Sequence, residues 1–227
     1  MLMGAMVNAV LIIAGGLMGI LFQKGIPEKV NRTLTQGLGL CVLYVGISGT
    51  LKGENIIVVI LSVVIGAVIG ELLDFEKRLQ WMGDWLQARM KFGGSNSTFA
   101  EGFVTCTLIY CVGAMAIVGS LQSGLAGNHE TLYAKSLLDG VMSLVMASTL
   151  GIGVAFSAVP VFLYEALLTV SAHAISGFLT TPVINEMTCV GSLLIVAIAL
   201  NLLKLTNIKV SNFILAPFLP IALLYLF

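Results

Sequence analysis

Runs of roughly 18 or more residues pass without a charged side chain, and nothing else restricts the fold of this chain as much. GAMVNAVLIIAGGLMGILF (residues 4–22) is the first and VSNFILAPFLPIALLYLF (210–227) the last. A helix of that length crosses about 30 Å of hydrocarbon. The chain also lacks the charge to cover a wetted surface: of its 227 residues 10% are charged and 58% hydrophobic. A soluble domain carries about a quarter charged residues. With a mean hydropathy of +1.05, the chain reads as an all-α, polytopic membrane protein. The N-terminus has neither the positive opening nor the small-residue cleavage site of a signal peptide, so it is expected to be the first span.

About eight spans fit, near 4–22, 34–51, 55–74, 98–121, 132–150, 154–177, 185–203 and 210–227. The last is interrupted by Pro217 and Pro220, each of which removes a backbone donor. Between the third and fourth spans, Phe75, Leu79, Met82, Leu86 and Met90 recur at helical steps beside Trp81 and Trp85. That pattern predicts an amphipathic helix lying in the membrane interface over 75–97, ending in the linker GGSNST. Eight crossings would place Lys24, Lys29, Arg32, Lys77, Arg78, Arg89, Lys91, Lys204 and Lys209 on one side, and only Lys52 and Lys135 on the other. The positive side is the cytoplasm, so both termini are expected outside.

Two phrases recur. LKGENI (51–56) returns as LKLTNI (203–208), and GAMVNAVLIIAGG (4–16) lines up with GFVTCTLIYCVGA (102–114). The first interval exceeds the second by about one helical hairpin. The expected plan is a three-helix unit over 1–74, the interfacial segment over 75–97, and an inverted copy over 98–227. An inserted hairpin at about 130–178 accounts for the extra length.

Within the apolar runs the ionisable side chains are few, and such groups tend to mark pathways. Span six carries Glu165, Thr169 and His173 on one face, with Ser157 at its start. Span five carries Lys135, Asp139 and Ser143 at four-residue steps, span four opens with Glu101, and span one contains Asn8. Lys135 and Asp139 also fit a plain i,i+4 ion pair, and Glu101 a helix-terminal charge. Gly15 and Gly113 occupy matching positions in spans one and four, where they suit close backbone approach, either to a ligand or to a neighbouring helix. The expected site lies near mid-membrane, with Asp139 and Glu165 as polar anchors and Asn8, Glu101 and Ser157 as further ligands.

Other chemistries are excluded. The formal charge is zero, which argues against nucleic acid. Cys41, Cys106, Cys111 and Cys189 lie in apolar runs without metal or disulfide spacing. No hydrolase, zincin or P-loop pattern is present, so no enzyme activity, cofactor or metal is expected.

EGFVTCTLIYCVGAMAIVGSLQSGL, KSLLDGVMSLVMASTLGIGVAFSAVPVF and EMTCVGSLLIVAIALNLL resemble the YqgA/YdfK-like prokaryotic inner-membrane proteins, a domain of unknown function. The resemblance implies an inner-membrane location and favours Asp139, inside LLDG, as a site residue. Secondary transport or conduction of a small solute or ion is the leading expectation, with the bilayer as the other partner; a homo-oligomer is compatible with it. The alternative is a non-transporting scaffold or sensor that docks partners through the amphipathic helix.

Overall fold

A computed structural model describes residues 1–23, 28–78, 81, 99–112 and 114–224. Among these the chain is helical and contains no strand. The helices are α1 (Met3–Gln23), α2 (Glu28–Thr50), α3 (Ile56–Leu73), α4 (Phe99–Cys111), α5 (Ala114–Ala126) and α6 (Glu130–Leu150). They continue as α7 (Gly153–Phe156), α8 (Ala158–Val170), α9 (Ala172–Ile175), α10 (Thr181–Leu202) and α11 (Pro220–Leu223). Two 3-10 turns, Val210–Phe213 and Ala216–Phe218, precede α11.

Among the described residues, four segments are long and apolar enough to cross a membrane: Met3–Phe22, Ile56–Leu73, Gly153–Val170 and Thr181–Leu202. A fifth arises if α4 and α5, bent by 59° at their junction, count as one broken span. The other expected spans fall short for visible reasons. α2 after Arg32 is diluted by Thr33, Thr35, Gln36, Ser48, Thr50 and four glycines; α6 carries Glu130, Lys135 and Asp139; and the C-terminal segment breaks into short turns at Pro217 and Pro220.

Some helices turn most of their large apolar side chains outward. On α1, Met6, Val10, Ile13 and Leu17 are exposed, while Gly4, Asn8, Ile12, Gly15 and Gly19 form the buried face. α8 repeats the pattern, with Val159, Leu163 and Leu167 outside and Val161, Glu165 and Thr169 inside. Water would drive the opposite arrangement. Lipid permits this one, because helix association there relies on close packing of small residues rather than on apolar burial.

Glycines set the helix pairs. Gly4 lies against Leu132, Gly15 against the carbonyl of Gly140, and Gly19 against that of Leu144, so α1 and α6 run parallel in close contact. A Cβ at Gly15 would strike the Gly140 backbone. α2 and α10 run antiparallel, because Gly39 meets Leu203, Gly46 meets Val196, Gly49 meets Ser192 and Gly53 meets Cys189. On α3, Gly66 and Gly70 receive Ala216 and Asn212 from the C-terminal segment.

These contacts define two ends of the bundle. One holds Met1, whose carbonyl accepts from Ser123 Oγ, together with the α2–α3 loop and the start of α10. Leu150, Gly153 and Phe99 meet at the other, close to Glu101, Leu202 and Lys209. Lys52 adjoins Gly53 at the first end, whereas Lys204 adjoins Leu203 at the second, so the two repeated phrases stand at opposite ends. Of the expected interfacial helix, residues 75–78 are helical and continue from Asp74, a left-handed cap with φ of 49°. Most of 79–97, the GGSNST linker and Gly113 lie outside the described residues.

Candidate functional site

The close approach of α1 to α6 is what assembles the polar centre. Asn8 sits one turn beyond Gly4 on the glycine face, and this brings its amide to the level of Lys135 and Asp139 on α6. Asn8 Nδ2 donates to Asp139 Oδ2 at 3.0 Å and to Glu165 Oε1 at 2.7 Å. The Lys135 ammonium pairs with Asp139 Oδ2 and reaches Glu165 Oε1 at 3.3 Å. Asn8 and Glu165 are 0% exposed, Lys135 6% and Asp139 7%.

The donors are matched to the acceptors. Both amide hydrogens of Asn8 go to carboxylates, and two of the three ammonium protons of Lys135 do the same. Lys135 also lies 5.9 Å from the centroid of the Tyr110 ring, within the range of a cation–π contact. Tyr110 is held in turn by a 2.8 Å hydrogen bond between its hydroxyl and Ser143 Oγ. With every group ionised, two carboxylates face one ammonium, leaving one unmatched negative charge in a setting where charge is costly.

Six of the expected site residues can be placed relative to this centre, and four are in it or support it. Asn8 joins Asp139 and Glu165 directly, and both carboxylates face the interior. Gly15 does allow close backbone approach, but to Gly140, one residue beyond Asp139, and its role is to seat the helices. Ser157 stays apart: its hydroxyl donates to its own backbone at Val154 O, 2.7 Å away. Glu101 lies at the far end, where it borders a cavity of about 490 Å³ with Glu76, Thr105, Asn201, Asn207 and Lys209. None of Asn8, Asp139 and Glu165 lines that cavity.

Asn8 is five residues, about 8 Å, from the start of α1, and Glu165 is equally far from the end of α8. Asp139 is one residue short of the middle of α6, so the centre extends from the middle of the bundle toward the end that carries Met1. By spacing alone, Lys135 is a local partner of Asp139. Its reach to Glu165, on another helix, leaves no trace in sequence spacing. Among the described residues no group of three or more His, Cys, Asp or Glu side chains converges as a metal site would.

A family model described as "Protein of unknown function (DUF554)" matches residues 3–225. A relative from Bacillus subtilis (strain 168), the uncharacterized membrane protein YdfK, is 31% identical over 221 residues, covering 96% of this chain and 93% of its own. The uncharacterized protein YqgA of Escherichia coli (strain K12) is 27% identical over 226 residues, covering 98% of this chain and 96% of its own. No solved structure matches the chain. The lipid-suited helix faces, together with these relatives, make it a membrane protein with several apolar helices.

Proposed function

We propose that this chain, which belongs to the DUF554 family, is a secondary transporter or channel for a small ion in the cytoplasmic membrane. One observation carries this: Asn8, Lys135, Asp139 and Glu165 form a buried charged network in a bundle whose outer faces are apolar. An intramembrane network of this kind is expensive, and its usual return is a pathway or a binding site. Its members come from α1, α6 and α8, so any relative movement of those helices changes which oxygens are neutralised.

The eight-crossing topology fits this reading. The antiparallel α2–α10 pair and the parallel α1–α6 pair alternate as eight crossings require. Lys77, Arg78, Lys204 and Lys209 fall at the end opposite Met1, which is then the cytoplasmic end, with both termini outside. The opposite placement of Lys52 and Lys204 supports an inverted repeat of two three-helix units with an inserted hairpin. On this plan the network sits in the outer half of the membrane.

Purified protein in liposomes should pass at least one of H⁺, Li⁺, Na⁺, K⁺ or Cl⁻ faster than empty liposomes. Asp139→Asn, which removes the charge nearest Lys135, should cut that flux at least about tenfold, as expected when a buried ion pair is broken. Equal leakage from loaded and empty liposomes for all five ions would reject transport.

A further inference from the structure

The bonds that tie the network together run through two of its five side-chain oxygens, Asp139 Oδ2 and Glu165 Oε1. Asn8 Oδ1, Glu165 Oε2 and Thr169 Oγ1 have no hydrogen-bond partner among the described residues, and all three side chains are 0% exposed. Buried polar atoms are paired with few exceptions, and each exception calls for a physical reason.

Asn8 cannot remove its orphan by turning over. The flipped amide would set its carbonyl oxygen against two carboxylates, so the observed orientation is the one chemistry permits. Oδ1 is then left facing away from Asp139 Oδ2 and Glu165 Oε1. Thr169 is unusual in its own way. Ser136, Ser171 and Thr188, also in or at the ends of helices, return their hydroxyls to the carbonyl one turn back at 2.6, 2.5 and 2.7 Å. Thr169 makes no such bond, though it stands one turn beyond Glu165 on the same buried face, where Cβ atoms are about 5–6 Å apart. On α5, Ser120 is likewise fully buried without a partner. It precedes by one turn the Gly124 that packs on the Thr169 carbonyl, which puts it near the level of Glu165 by register.

We propose that Asn8 Oδ1, Glu165 Oε2 and Thr169 Oγ1 form a binding site for a dehydrated monovalent alkali-metal cation beside the Lys135–Asp139 pair. The inference rests on the transport reading and names its ion. The donors are all hard oxygens, which suit alkali and alkaline-earth ions rather than transition metals. Charge then chooses between those two classes. One unit of negative charge is unmatched, a monovalent ion neutralises it, and a divalent ion would leave a buried excess of positive charge. Glu165 becomes the shared element, holding Lys135 with one oxygen and the cation with the other. This moves the weight of the site from Asp139, which the sequence favoured, to Glu165.

The test is thermal unfolding of the detergent-purified protein at fixed pH, in lithium, sodium or potassium chloride against choline chloride at equal ionic strength. At least one alkali cation should raise the Tm saturably by a few degrees, as ligand linkage requires. Thr169→Val removes one oxygen at nearly constant volume and should raise the half-saturating concentration at least about tenfold. Glu165→Gln should abolish the shift. Thr188→Val, whose hydroxyl serves only its own backbone, should leave the half-saturating concentration unchanged; if Thr169→Val is too unstable to purify, Thr169→Ala takes its place. Equal Tm values in alkali and choline salts would overturn the site, and so would an unchanged half-saturating concentration in the Thr169 variant that is measured. Flux without such binding would sink this inference and spare the transport reading; binding without flux would do the reverse.

Discussion

Glu165 and Glu186 are both buried carboxylates in an apolar bundle; each leaves Oε2 without a partner among the described residues, and their Oε1 atoms are satisfied in contrasting ways. Glu186, in the second turn of α10, accepts the backbone N–H groups of Glu54 and Asn55 with a single oxygen, each at 2.7 Å. Those donors belong to the loop that enters α3, and Asn55 caps that helix by accepting from the N–H groups of Ile57 and Val58. Among the described residues Glu165 has no backbone donor. Its partners are the tips of Asn8 and Lys135, one on α1 and the other on α6. Backbone donors in a short loop cannot turn away, so Glu186 works as a staple between α10 and the α2–α3 loop. Side-chain tips can rotate and exchange, so the Glu165 cluster holds charge in an arrangement that can be redistributed. Position reinforces the difference, since Glu186 borders a cavity of about 410 Å³ at the bundle end while Glu165 is fully enclosed.

The most severe way to challenge this contrast is Lys135→Met. It leaves Asp139 and Glu165 facing each other with only the Asn8 amide between them. Breaking a buried ion pair from one side costs about 3–5 kcal/mol, so the Tm in detergent should fall further than for any substitution at Glu186 or Asn55. A variant that melts within a degree or two of the parent would mean that Lys135 does not balance the carboxylates. Glu186→Ala comes next, because two backbone donors lose their acceptor at a cost of about 1.5–3 kcal/mol. Glu186→Gln sharpens the contrast: it keeps an acceptor oxygen and should cost clearly less. Equal damage from Ala and Gln would make charge, rather than hydrogen bonding, the basis of the staple. The smallest effect belongs to Asn55→Ala, about 1 kcal/mol for the loss of a helix cap. A larger loss than for Glu186→Ala would shift the anchoring of the loop from α10 to α3 itself.

Much of the site was legible because polar residues inside apolar runs identify themselves. Asn8 lies alone in a span, Lys135 and Asp139 are one helical turn apart, and Glu165 interrupts VPVFLYEALLTV. The link between Lys135 and Glu165 was not legible, because it depends on how α6 and α8 pack and no local period encodes that. Ser157 misleads for a related reason. A buried hydroxyl can serve a ligand or its own helix, and at this position the Val154 carbonyl takes it. Glu186 gives no signal of its own, because a carboxylate near a helix start looks like an ordinary terminal charge. Among the helices, α1, α3 and α10 were plain from composition. α6 was less so, because the groups that make it interesting also lower its hydropathy, and Pro217 and Pro220 divide the last segment into turns.

The order of synthesis gives the Lys135–Asp139 spacing a further meaning. On the eight-crossing plan, a helix that enters the bilayer with two opposite charges one turn apart brings its neutralisation with it, so α6 would be inserted as a self-contained segment. Asn8 will have been made long before, on α1, and the glycine seam lets that helix dock as soon as α6 arrives. Glu165 follows on α8 without a cation in its own segment, and it finds its partners only on the α1–α6 pair. Retention of α8 in the membrane is thereby coupled to completion of the earlier pair, so the ribosome's order of delivery is also the order in which the buried charges can be matched.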